Sequence, residues 1–113
     1  MNNYIHILFF GLFAVNATSY AAAPEMTPFL SAQVLKENLN SKDPSKFGSA
    51  ISYVGGIADY LLSKKKICPP PGASVASAAM LAKADLNKDS YEYRHLSAAT
   101  PVTFALLIGW SCK

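Results

Sequence analysis

Apolar residues recur with helical spacing along most of the chain beyond residue 30. Phe47, Ile51, Val54, Ala58 and Leu61 stand at i, i+4, i+7, i+11 and i+14, one stripe of a long helix. Asp43 is placed to cap it and Pro44 to occupy its first turn, with Lys66 near its end. Ahead of it, Ser31 caps a short helix that carries Val34, Leu35 and Leu39 inward. Phe29 and Leu30 precede that cap and are expected to staple onto its first turn. Ser74 caps a third helix through about Asn87, with Val75, Ala79, Ala82 and Leu86 on one face. Ser97 caps a fourth to about Trp110, with Thr100-Pro101 in its first turn and Val102, Ala105, Leu106 and Gly109 on one face. No stretch alternates with period two, and no hairpin dipeptide sits between β-branched runs. The pattern predicts an all-α fold: a small up-and-down bundle of about four helices.

Gly55-Gly56 interrupts the long stripe. Each glycine costs a helix interior roughly 1 kcal/mol relative to alanine, so close approach of a neighbouring helix is expected there. The alanine-rich third helix is the natural neighbour. Lys64-Lys65-Lys66 meets the negative end of the helix dipole. Pro69-Pro70-Pro71 then hands the chain to an extended segment.

The apolar run Ile7 to Val15 is too short to span a bilayer, and Ser19-Tyr20-Ala21 fits a small-x-small cleavage rule. Residues 1–21 therefore read as a signal peptide cleaved near Ala21, leaving a helical domain at 22–113 in the periplasm. In an oxidising compartment the two cysteines most simply form one disulfide, Cys68–Cys112. The up-and-down order supports it, because the second and fourth helices run parallel and end together. The net charge of +3 is small and its signs are mixed, which argues against nucleic acid as the main partner.

Catalytic and metal patterns fail on inspection. Asp85 to Asp89 opens like a calcium loop, but Ser90 stands at its glycine position and Leu96 at its closing glutamate. His95 is the one histidine beyond the signal, so no zinc-type cluster forms, and no metal or other cofactor is expected. A Cys-His enzyme would need a thiol that escapes pairing with the other cysteine. Asp59 is an isolated acid, without a second carboxylate at general acid–base spacing. Two stretches remain. One is Lys88-Asp89-Ser90-Tyr91-Glu92-Tyr93-Arg94-His95, dense in the residue types of interface hot spots, or else a loop whose tyrosines lean on the bundle. The other is Lys64 to Lys66, a solvated helix end or a contact that speeds association.

Four segments taken in order resemble a known family: FLSAQVLKENLNSKD, AISYVGGIADYLL, CPPPGASV and the closing WSC. They are similar to the Rap/Tai family of type VI secretion immunity proteins, over Phe29 to Cys112. The chain departs from that pattern at Asn40 and Ser49, where many members carry cysteine, and at Ser111, where proline is usual. The resemblance implies a small helical periplasmic protein, often a homodimer, that is not an enzyme. It would bind a peptidoglycan amidase effector and plug its Cys-His groove, protecting the cell wall. Tyr91, Glu92, Tyr93, Arg94 and His95, with Lys88, Asp89 and Ser90, are the candidate contact residues. A small periplasmic holdase is the reading from a different class.

Overall fold

Ser31 stands in extended backbone and its hydroxyl accepts from the Val34 amide, 3.2 Å away, which starts helix α1 at Ala32–Leu39. Asp43 repeats the device: its carboxylate takes the Ser45 amide at 2.9 Å, with Pro44 opening α2 (Pro44–Ser63). Ser74 and Ser77 form a reciprocal capping box at the start of α3 (Val75–Leu86). The fourth helix, α4, runs Ala99–Gly109. This computed structural model describes residues 29–88 and 94–113; the expected signal peptide and Asp89 to Tyr93 lie outside the described residues. Among those described, the fold is all-α, with no strand beyond one isolated bridge, Ser31 to Ser97.

The core is built from one face of each helix: Leu35 and Leu39 from α1, Val54, Ala58 and Leu61 from α2, Ala78, Ala79 and Ala82 from α3, Val102 and Leu106 from α4. Helix α2 packs against the other three, and α3 packs against α4 and α1. The small residues of α3 make the close packing possible. A Cβ built on Gly55 would stand 2.9 Å from a Val75 methyl, so the first glycine of the pair does admit α3. Gly56 does not; it is exposed, and nothing lies within 4 Å of its missing Cβ. Gly109 makes the matching accommodation on α4, where Leu81 fills the space a side chain would take.

Each end of the bundle has its own fastening. At one end, the C-caps of α1 and α3 exchange side-chain amide bonds: Asn40 donates to Asn87 at 2.9 Å and receives from it at 3.3 Å. At the other, the ends of α2 and α4 are joined by the Cys68–Cys112 disulfide, with Cα atoms 5.0 Å apart. The Cys68 amide also donates to the Trp110 carbonyl at 2.7 Å.

Several positions depart from the sequence pattern. Val34, expected inside, is 41% exposed, because α1 is short and buries only the Ala32, Leu35 and Leu39 face. Phe47 and Val75, at the ends of their stripes, are likewise between a third and a half exposed. Leu30 packs against the core, whereas Phe29 is fully exposed and staples nothing. The Ser97 cap is displaced by one residue: Ala98 holds the N-cap position of α4 with no side-chain bond of its own, while the Ser97 hydroxyl accepts from the Ala99 amide at 3.4 Å.

Helix α2 stops three residues before Lys66. Lys65 turns left-handed at φ 55°, its amide donating to Leu62 while that of Lys66 reaches Leu61. This is a Schellman closure with lysine in the place glycine usually takes. An L-residue pays roughly 1–2 kcal/mol in that conformation. Glycine's greater freedom in the unfolded chain returns part of the difference. Lys65→Gly is therefore expected to stabilise the fold by about 0.5–1 kcal/mol, read as a higher midpoint in a thermal melt. A lower midpoint would mean that the lysine stem contributes more packing than its strain costs.

Candidate partner-binding site

The stretch singled out for recognition connects α3 to α4, and both of its ends are held. On the near side, Asn87 is bonded to Asn40, and its amide closes α3 on the Lys83 carbonyl at 2.9 Å. On the far side, the Leu96 carbonyl accepts from the Ala32 amide, and the Ala98 amide donates to Leu30, each at 2.9 Å. These two bonds are the Ser31–Ser97 bridge. The pairing of the chain ahead of α1 with the chain before α4 was not expected, because a single bridge leaves no alternating pattern.

Of the candidate contact residues, Lys88 and His95 are exposed and Arg94 is half-buried. Asp89, Ser90, Tyr91, Glu92 and Tyr93 lie outside the described residues. Leu96, the next residue, is 43% exposed and adds an apolar group to the rim. The described flanks thus offer one cation on the α3 side, and an imidazole and a leucine on the α4 side.

A second feature lies at the disulfide end. A groove of about 260 Å³ opens between α2 and the extended segment before α3, lined by Gly55, Asp59, Leu62, Pro69, Val75 and Trp110 among others. Apart from Asp59 and Ser74 its walls are apolar. It exists because Gly55 lets Val75 close on α2 while the prolines after Cys68 hold the chain off. Its parts come from all the segments that carry the family resemblance except the first, yet only Gly55 announced itself through its cost to a helix. The groove has one carboxylate and no partner acid, so it offers binding more readily than acid–base chemistry.

Both cysteines are consumed in the disulfide, which leaves no thiol for nucleophilic work. Among the described residues, no group of three His, Cys, Asp or Glu side chains is placed to hold a metal ion. The three lysines after α2 are all exposed, with the Lys64 ammonium 5.9 Å from the centre of the Tyr60 ring. No family model matches the chain, and no curated protein matches it.

Proposed function

We propose that the protein is a periplasmic immunity protein of the Rap/Tai kind. It binds a type VI secretion peptidoglycan amidase and occupies its Cys-His groove, and it is not itself an enzyme. The observation that supports this reading is the double bracing of residues 88–95. A segment that must enter a partner's cleft binds more tightly when its ends are already fixed, since less ordering remains to be done on contact. Here the Asn40–Asn87 pair fixes one end and the Ser31–Ser97 bridge the other. The disulfide suits a small domain that has to persist outside the reducing cytosol.

The homodimer implied by the resemblance has a candidate face. Helix α4 is apolar on all sides, and Phe104 and Ile108 stand exposed one turn apart on its outer surface. A helix of that composition is usually covered. The same face would serve the holdase reading, so binding has to separate the two. Mixed with a Cys-His peptidoglycan amidase that it recognises, the protein should form a tight complex with one amidase per protomer. Hydrolysis of the peptide stem should stop in proportion to the complex formed. Binding to unfolded client proteins generally, with no inhibition of the amidase, would replace this reading with the holdase.

A further inference from the structure

Positive charge gathers at the disulfide end of the bundle. No acidic residue occurs between Asp59 and Asp85, and none follows Glu92. The disulfide brings Lys113, next to Cys112, to the same end as Lys64, Lys65 and Lys66, and all four are exposed. Asp59, at the edge of the groove, is the acid on the neighbouring turns of α2. Elsewhere the charges interleave, as in Lys36 with Glu37, Lys42 with Asp43 and Lys83 with Asp85. One of the clustered lysines also occupies the left-handed position that glycine would take with less strain. A side chain kept at such a place despite its cost points to a use for it.

We propose that this end adsorbs electrostatically to a membrane surface bearing anionic phospholipid headgroups. Lysines on flexible stems act as point charges and need no fixed fork of acceptors, which suits a diffuse field of lipid phosphates. Tyr60 and Leu62 are exposed beside them and offer amphipathic contact at headgroup depth. No described helix is long and apolar enough to cross a membrane, so the contact proposed is with the surface. Geometry favours a partner other than the one for residues 88–95. Those residues follow the C-terminal end of α3 and precede α4, whereas the lysines sit by the start of α3 and the end of α4. A molecule held by its lysines therefore keeps its other end free. The inference goes beyond the proposed function and does not depend on it.

Each lysine near an anionic surface strengthens partitioning about fivefold. The full chain should co-sediment with phosphatidylglycerol-containing vesicles at low salt, stay free of pure phosphatidylcholine vesicles, and be released by high salt. The triple variant K64Q/K65Q/K66Q should lose roughly a hundredfold in partitioning, while K64R/K65R/K66R retains it. Circular dichroism of both variants checks that the bundle is intact. Equal partitioning of the wild type and the glutamine variant would overturn the proposal, as would binding to neutral vesicles. Retention on polyglutamate resin without binding to vesicles would overturn it in favour of an acidic protein face.

Discussion

Replacing Cys68 and Cys112 together with alanine is expected to destabilise the protein by about 4 kcal/mol. The bridge joins residues 44 apart in sequence, and the loop it closes contains all of α3 and α4. In the chain-entropy account, the cross-link acts on the unfolded ensemble by forbidding the separations that such a loop would otherwise explore. The folded state should change little. The Cys68 amide still has the Trp110 carbonyl, and α4 still packs through Val102 and Leu106, both fully buried. A small domain has about 5–10 kcal/mol in hand, so the loss is a large fraction of the total. For a chain of this size the midpoint should fall by about 15–30 °C. Reduction of the wild type should reproduce it, with far-UV dichroism at low temperature unchanged. A fall below about 1 kcal/mol would mean that the unfolded chain is already compact around this loop. An enzyme that used Cys68 would behave differently, losing activity in C68A in excess of any loss of fold.

The elements were legible because their boundaries are chemical. Ser31, Asp43 and Ser74 each satisfy orphan amides at a helix start, and each is followed by residues at helical spacing. The disulfide followed from topology: two parallel helices end side by side, and each is trailed by a cysteine. What escaped the pattern was decided by tertiary contact. Ser97 does accept the Ala99 amide as a cap would, but its neighbours Leu96 and Ala98 bond to the chain around Ser31, and α4 starts one residue later, on Ala98. The lysine run favours continuing α2, yet the chain turns at Lys65 so that Ile67 can be buried. Gly55 and Gly56 are indistinguishable by propensity; only the placement of Val75 separates a contact glycine from an exposed one.

The candidate site was legible in type more than in place. Composition singles out residues 88–95, because tyrosine, arginine and histidine crowd there and nothing in a helical core calls for them. The means of holding that stretch were not legible. Asn40 and Asn87 are 47 positions apart, and each alone looks like an ordinary polar helix end. The groove between Gly55 and Trp110 was hidden for the same reason: its walls are distant in sequence and unremarkable one by one.

Tyr93→Ala combined with Arg94→Ala should weaken the amidase complex by about 4 kcal/mol, close to a thousandfold in Kd, if each supplies a hot spot worth about 2 kcal/mol. The two contributions differ in kind. A tyrosine buries a large flat area and loses few rotamers in doing so. An arginine brings several donors, whose loss strands the acceptors it met in the partner. Arg94 is half-buried in the free protein, so its replacement also tests the bundle. For this reason each single variant has to be melted as well as titrated. Tyr93→Ala should raise the Kd about thirtyfold. Arg94→Ala should lower both stability and affinity. The lost affinity should appear mainly as faster dissociation, the usual outcome when an anchor is cut and long-range charge is kept. A salt-sensitive fall in the association rate alone would instead mark these residues as rim charges. Calorimetry showing wild-type affinity for the double variant would remove residues 88–95 from the contact and leave the groove at Trp110 as the surface to test.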